Sequence, residues 1–142
     1  MIIPDINLLV YAYNSDAPDH RSARLWWESN LSGSRPVGLP WAVLLGFVRV
    51  MTSRRILVTP LPPSEAIAHV RSWLEQPQTE ILQPGPRHLD LLQDLAESAG
   101  VAGELTTDLH LAALAIEHQA ELHSNDTDFK RFSGLRWVNP LA

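Results

Sequence analysis

Short apolar runs alternate with longer amphipathic stretches along most of the chain. The segments MIIPD, RPVGLP, TEILQP and ELHS predict four short buried strands, and LRWVN near the C-terminus predicts a possible fifth. In the longer segments between them, apolar residues return every three or four positions, which predicts helices. Strands that alternate with helices indicate an α/β fold with a central parallel sheet of four to five strands flanked by helices.

Local signals predict where several of these helices begin and end. Gly100 is expected to end the helix in GPRHLDLLQDLAESAG. The segment WAVLLGFVRVMTS is a largely apolar helix with two residues that are unusual inside one, Gly46 and Arg49. The expected helix N-caps are Asp5, Ser64, and Thr106 or Thr107.

Composition limits the classes of protein to which the chain can belong. A length of 142 residues with 45% hydrophobic content predicts one compact domain over 1–142. The absence of cysteine excludes disulfides, thiolate zinc sites and a cysteine nucleophile. The absence of cysteine also fits a cytoplasmic protein, which is expected. The N-terminal segment resembles neither a signal peptide nor a membrane span and is expected to begin the folded domain. A net charge of −5 argues against a broad basic surface for nucleic acid.

Four aspartates are expected to meet at one edge of the predicted sheet. Asp5 follows the first strand, Asp126 and Asp128 follow the fourth, and Asp108 begins the helix that leads into the fourth. In an open parallel sheet, functional groups gather beyond the carboxyl ends of the strands. Carboxylates held together repel one another unless a proton, a basic group or a hard cation offsets the charge. Oxygen ligands without sulfur favour Mg²⁺ or Mn²⁺.

Each of these residues also has a purely structural interpretation. Asp5 is a helix cap in that interpretation, and Asp108 complements a helix dipole. Asp126 and Asp128, together with Asn125, are compatible with a turn between strand and helix. No histidine pair has the i, i+4 spacing of a metal site, so the six histidines are interpreted as structural. The five tryptophans, with Trp26 and Trp27 adjacent on one helix, are expected in the core or in an interface.

Two other acidic motifs do not fit the segment SNDTDFKRF. A calcium loop of the EF-hand type requires glycine where Arg131 stands. An aspartyl phosphotransferase of the haloacid-dehalogenase type requires a small residue where Lys130 stands, and most of such a domain follows the motif. Neither class is therefore retained.

Four segments resemble the PIN-domain toxins of bacterial VapBC toxin–antitoxin modules. They are PDINLLVYAYN, GFVRVMTS, TTDLHLAALAIEHQAELHSNDTDFKRF and LRWVNPL, which together cover nearly the whole chain. The resemblance implies a PIN-like three-layer fold and an endoribonuclease that depends on Mg²⁺ or Mn²⁺. It also implies an RNA substrate such as tRNA or rRNA, and a cognate VapB-type antitoxin as partner. A homodimer is expected, and no membrane association.

The resemblance also assigns roles to individual residues. It implies that Asp5, Asp108 and Asp126 are catalytic and bind the metal, with Asp128 as a further ligand. Polar and basic residues near the acids are expected to bind substrate, and the candidates are Asn7, Arg49 and Lys130, with Arg54, Arg55 and Arg131 as further possible phosphate contacts. The alternative is a catalytically weak PIN domain that acts mainly by binding RNA or its antitoxin.

Gly46 departs from the family pattern. Many PIN toxins carry glutamate at this place, three residues before the helix arginine, which here is Arg49. A site with one carboxylate fewer is expected to bind Mg²⁺ weakly and to favour Mn²⁺. Gly46→Glu is expected to tighten metal binding, unless another side chain packs closely against position 46.

Overall fold

The computed structural model describes residues 1–142 and contains one parallel sheet of five strands. The strands lie in the order β3-β2-β1-β4-β5, which confirms the predicted α/β fold and its strand number. The bounds of the strands are β1 Ile2–Pro4, β2 Val37–Pro40, β3 Thr79–Leu82, β4 Glu121–His123 and β5 Arg136–Val138.

Six α-helices cover the two faces of this sheet. Helix α1 packs against α2 and α3, and α3 packs against α4, whereas α5 and α6 form a separate pair, so the fold has three layers. The bounds of the helices are α1 Ile6–Tyr13, α2 His20–Ser32, α3 Trp41–Met51, α4 Pro63–Leu74, α5 His88–Ala99 and α6 Thr106–Glu117. None of the six combines the length and the apolar composition that crossing a bilayer requires.

The helix termini confirm some of the predicted caps and correct others. The Asp5 side chain caps α1 by accepting a hydrogen bond from the Ile6 amide, and Gly100 ends α5 in the left-handed conformation. The predicted cap at Ser64 is wrong, because α4 begins at Pro63 and a proline at the first position needs no amide partner. The predicted cap at Thr106 or Thr107 is also wrong, because a 3-10 turn over Gly103–Leu105 leads directly into α6.

Aromatic side chains fill the core between the sheet and the first four helices. Trp27 is 1% exposed and meets Trp73 edge to face, and Trp73 packs in the same way on Phe47. Trp27 is therefore a core residue and is not available to a partner. Its neighbour Trp26 is only partly buried; its ring stacks on His123, and its indole N–H donates to Nδ1 of His123.

Candidate metal centre and active site

The carboxyl ends of β1 and β4 lie side by side and position the first acid. The two strands pair in parallel with Pro4 opposite His123, and the Asp5 amide donates to the His123 carbonyl at 2.8 Å. The residues that follow Pro4 and His123 are therefore also neighbours, which brings Asp5 beside Ser124. The Ser124 hydroxyl donates to Oδ2 of Asp5 at 2.7 Å, and the Ile6 amide donates to Oδ1 at 2.7 Å.

Ser124 also holds the segment that carries the next two acids. Its hydroxyl oxygen accepts a hydrogen bond from the Asp126 amide at 3.0 Å. The Asp126 side chain in turn accepts from the Asp128 amide at 2.8 Å and begins a 3-10 turn over Thr127–Arg131. This is the turn geometry that the structural interpretation of the sequence described. One buried hydroxyl therefore links Asp5 to Asp126.

Three of the four predicted acids form a compact cluster. One carboxylate oxygen each from Asp108, Asp126 and Asp128 lies within 4.8 Å of the others. Asp108 comes from the first turn of α6, and the other two follow β4. Asp5 is not one of these three, although its charge acts on Asp108. Both Asp5 oxygens are engaged by Ile6 and Ser124, and these hydrogen bonds fix its position beside the cluster.

The cluster carries more negative charge than its surroundings neutralise. Burial raises the pKa of Asp108 from 3.8 to about 6, and the neighbouring Asp5, Asp126 and Asp128 add to this, while Arg131 opposes it. Burial also raises the pKa of Asp5, against the hydrogen bonds from Ser124 and Ile6. Arg131 is the one cation bound within the cluster, with Nη2 located 3.1 Å from Oδ1 of Asp128.

The donor set matches a hard divalent cation. Every candidate ligand is a carboxylate, and no histidine or cysteine belongs to the cluster. Burial and, to a smaller extent, the neighbouring carboxylates raise the pKa of Asp108, and a bound cation would offset the repulsion between the carboxylates. The residues present therefore fit Mg²⁺ or Mn²⁺ on chemistry as well as on position.

Gly46 is buried against the first residue of α1. A Cβ atom at position 46 would overlap Cδ1 of Ile6 and lie 2.8 Å from its Cγ1. Ile6 directly follows Asp5, and position 46 is where the family resemblance places a glutamate in many PIN toxins. An isoleucine side chain fills that space here, which is the packing that would obstruct Gly46→Glu.

The three residues predicted to bind substrate lie in different surroundings. Asn7 and Arg49 line a cleft between α1 and α3 that also contains Asp5 and Asp126. Oδ1 of Asn7 is buried without a hydrogen-bond partner. Lys130 instead places its ammonium group 5.6 Å from the centre of the Trp137 ring. Asn7 and Arg49 therefore lie next to the acids, whereas the Lys130 ammonium group contacts the ring of Trp137 on β5.

Sequence reasoning did not identify Ser124 as part of the site. The residue was expected to end a strand, and a fully buried serine carries no distinctive pattern. A signal was nevertheless present, because a hydroxyl residue two positions before Asp126 can accept its amide hydrogen bond. Tyr11 and Ile56, which line the same cleft as Asn7, were also not identified.

The histidines lie outside the acid cluster, as the structural interpretation expected. His88 contacts His110 through ring nitrogens that are 2.8 Å apart, and its other ring nitrogen lies 3.2 Å from Glu117. These contacts join α5 to α6. His123 is buried beneath Trp26, and burial lowers its pKa.

Comparison with known proteins agrees with this geometry. A family model described as the PIN domain matches residues 2–135. The chain is 52% identical over 141 residues to ribonuclease VapC33 of Mycobacterium tuberculosis, with 99% of each chain covered. It is 42% identical to ribonuclease VapC37 of the same species, covering 100% of this chain and 99% of that protein.

A solved structure shows the same fold at lower sequence identity. The structure of VapBC2 from Rickettsia felis bound to a DNA fragment from its promoter matches with a TM-score of 0.70, 22% identity and 98% coverage of each chain. The full-length relatives and the family model together leave no ambiguity about descent: this chain is a PIN-domain protein of the VapC family.

Proposed function

We propose that this protein is a divalent-metal-dependent endoribonuclease and the toxin of a type II toxin–antitoxin pair, acting on tRNA or rRNA. The observation that carries the proposal is the convergence of Asp108, Asp126 and Asp128 within 4.8 Å, with Asp5 beside them. A fold tolerates such repulsion when a cation offsets it. The ribonuclease names of two full-length relatives support the reaction class.

The residues of the chain have distinct parts in the proposed reaction. Asp108, Asp126 and Asp128 would hold Mg²⁺ or Mn²⁺, with Asp5 completing the acidic face. Bound there, the cation would supply an activated water for hydrolysis and neutralise charge that develops on the phosphate. Ser124 keeps Asp5 and Asp126 in register with each other. Arg131 orients Asp128 through its 3.1 Å ion pair.

The nature of the RNA ends tests the reaction class. The purified chain is incubated with bacterial tRNA and ribosomal RNA in Mn²⁺, in Mg²⁺ or in EDTA, and cleavage sites are mapped by primer extension. We expect cleavage at discrete positions with either metal and none in EDTA. Because water is the attacking group, the products should lack 2′,3′-cyclic phosphates. Cyclic ends, or cleavage that survives EDTA, would contradict the assignment.

A weak or inactive nuclease is the second candidate function. The observation that favours it is Ile6, whose side chain fills the space that a further carboxylate at position 46 would need. Fewer charged ligands hold a hard cation less firmly. Binding of RNA without cleavage, at saturating Mn²⁺, would support this second function over the first.

An apolar groove between α3 and α4 supports an antitoxin as the protein partner. Trp41, Leu45 and Ile67 line it, and each leaves about half of its surface exposed. A groove with exposed apolar walls fits the apolar face of an amphipathic helix. We assign this surface, the α3–α4 groove, to a helix of the cognate antitoxin, since the matched solved structure contains VapBC2 and not an isolated toxin.

A further inference from the structure

Asp108 is the one acid of the site whose carboxylate no hydrogen bond holds. Each of the other three acids is held by at least one donor from a neighbouring amide, hydroxyl or guanidinium group. The pKa of Asp108 is shifted by burial and by neighbouring charges alone. No side chain caps the start of α6, where Asp108 lies in the first turn. The position of the Asp108 carboxylate therefore depends on how α6 itself is held.

Apolar packing restrains α6 only weakly along its own axis. All the buried residues of this helix are apolar, and half of them are alanine; they are Leu109, Leu111, Ala112, Ala113, Leu114 and Ala115. Burial of apolar surface is favourable in any direction, and alanine has no atoms beyond Cβ that could interlock with a neighbour. Directional contacts are needed to fix the helix along its axis.

One buried histidine of α5 bridges two turns of α6. His88 is the first residue of α5 and is 7% exposed. Its Nε2 lies 2.8 Å from Nδ1 of His110, and its Nδ1 lies 3.2 Å from Oε1 of Glu117. Positions 110 and 117 are about two helical turns apart and share one face of α6. The two nitrogens of one rigid ring have a fixed spacing, so α6 cannot move along its axis without losing one of these hydrogen bonds.

The charge of Glu117 sets the direction of this chain of hydrogen bonds. Burial alone would raise the pKa of Glu117, but the nearby amides of Gly85 and Arg87, together with His88, lower it below 4.5. Glu117 is therefore a carboxylate at neutral pH, and a carboxylate only accepts hydrogen bonds. Nδ1 of His88 carries the proton that points at Glu117, and in the neutral ring Nε2 accepts from His110.

The segment that leads into α5 also contacts the end of α6. Nε2 of His118, the residue after the last turn of α6, donates to the Gln83 carbonyl at 2.9 Å. A Cβ atom at position 85 would overlap the Glu117 carboxylate, so the backbone lies close to that side chain. The last turn of α6 is thus anchored. Because the helix is continuous, this anchor also sets the place of its first turn.

We propose that His88 is a positioning residue, which fixes α6 along its axis and so holds the Asp108 carboxylate within reach of Asp126 and Asp128. A hydrophobic pair in the place of His88 and His110 would fill the α5–α6 interface without fixing α6 in this way. The inference rests on the proposed metal-dependent function and assigns to it one residue outside the acids.

Metal affinity reports the position of Asp108 without any cleavage of RNA. Mn²⁺ is titrated calorimetrically into native protein and into His88→Phe at pH 7.5. The phenyl ring keeps most of the packing of the imidazole and removes both hydrogen bonds. We expect His88→Phe to bind Mn²⁺ about tenfold more weakly, the low end of the loss typical for partners outside the ligand shell. His110→Ala, at a partly buried position, removes one of the two bonds and should change affinity in the same direction.

Two comparisons separate positioning from a general loss of stability. Leu95→Ala removes a buried side chain of α5, so it should lower the melting temperature and still bind Mn²⁺ as native protein does. His88→Phe is also combined with Asp108→Asn and with Asp128→Asn, and Mn²⁺ binding is followed by electron paramagnetic resonance at millimolar concentrations. If His88 acts through Asp108, it should cost less than about twofold in Asp108→Asn and about tenfold in Asp128→Asn.

Each contrary result has a definite meaning. Affinities of His88→Phe and His110→Ala equal to that of Leu95→Ala overturn the proposal, as does the same loss in both aspartate backgrounds. If native protein binds no Mn²⁺, the proposed metal-dependent function itself fails, and this inference fails with it. If native protein binds Mn²⁺ and cleaves RNA while His88→Phe matches it in affinity, only the positioning role fails.

Discussion

A single hydroxyl group connects the two strands that carry the acids. Ser124 donates to Asp5 and accepts from the Asp126 amide, and its side chain is fully buried. Removing it leaves a buried carboxylate oxygen and a backbone amide without their partners. Losing a hydrogen bond to a charged group destabilises a protein more than losing an average hydrogen bond, because the charged partner stays buried without its donor.

Ser124→Ala should therefore destabilise the fold and weaken cleavage together. We expect a loss of about 1.5 to 3 kcal/mol in the free energy of unfolding, measured by urea denaturation at neutral pH. Ser22→Ala, at an exposed position of α2, is the matched control and should change stability by less than about 0.5 kcal/mol. A Ser124→Ala protein as stable as the control would show that the hydroxyl does not hold the site together.

Asp108 makes the stability of the metal-free protein depend on pH. Its pKa is raised from 3.8 to about 6, so the folded state favours the protonated carboxyl. The stabilising contribution is complete below the unfolded pKa and is lost as the pH rises from about 4 through 6. The sign is opposite to that of a carboxylate stabilised by a salt bridge.

Melting temperatures with and without Mn²⁺ test this expectation. In EDTA, native protein should lose stability between pH 4 and pH 7 relative to Asp108→Asn, which cannot ionise at this position. At pH 7.5, Mn²⁺ should raise the melting temperature of native protein and have a much smaller effect on Asp108→Asn. Asp94→Asn, an exposed acid on α5, should behave as native. Equal responses to Mn²⁺ in all three proteins would place the metal elsewhere.

The packing of α1 on α3 determines what position 46 can carry. Ile6 at the start of α1 lies against Gly46 in the middle of α3, so even a methyl group at 46 requires Ile6 to move. Gly46→Glu alone should therefore destabilise the protein, by an amount of the order of 1 to 3 kcal/mol that is typical of overpacking. The close packing of Ile6 is the exception stated in the expectation from sequence, in which glutamate at position 46 clashes and destabilises the protein.

A double-mutant cycle separates the two effects of the added acid. Ile6→Ala with Gly46→Glu removes the clash, and the coupling between the two changes should be stabilising by about 0.5 to 3 kcal/mol. In that background the glutamate is free to reach the acids, and calorimetric titration should show tighter Mn²⁺ binding than in Ile6→Ala alone. Additive stability changes with unchanged affinity would mean that position 46 does not face the site.

Sequence patterns predicted which acids lie close together because these acids follow regular elements. Asp5, Asp126 and Asp128 come directly after predicted strands, and Asp108 begins a predicted helix, so strand order alone brings them to one edge. The pairing of Ile6 with Gly46 was not predictable, because it depends on how two helices cross. The burial of Trp27 was not predictable either, since an adjacent tryptophan pair on an amphipathic helix suits a core or an interface equally well.

At the scale of the whole molecule, the acid cluster and the α3–α4 groove are formed by separate sets of residues. The acids lie beyond β1 and β4, and the groove is lined by residues of α3 and α4 alone. Catalysis and partner binding should therefore be separable by mutation.

Leu45→Asp should abolish partner binding and leave RNA cleavage intact. Leu45 is among the most exposed large apolar residues of α3, and a charge there opposes burial of the groove. The measurement is co-purification with a co-expressed VapB-type antitoxin, together with light scattering of the isolated chain. The control is Leu89→Asp, because Leu89 is also an exposed leucine but lies on α5, outside the groove. Conversion of a native dimer to a monomer, with antitoxin binding unchanged, would assign the groove to a second copy.

The central claim is that the acids act together on one divalent cation. It is tested most directly by single-turnover cleavage of a tRNA substrate in Mn²⁺ with native protein, Asp126→Asn, Asp5→Asn and the double variant, with Asp94→Asn as the surface control. We predict that Asp126→Asn alone removes nearly all activity and that adding Asp5→Asn costs little more, because residues acting as one unit have non-additive effects. Two losses that multiply in the double variant, or an Asp126→Asn protein that cleaves at the native rate, would contradict the account.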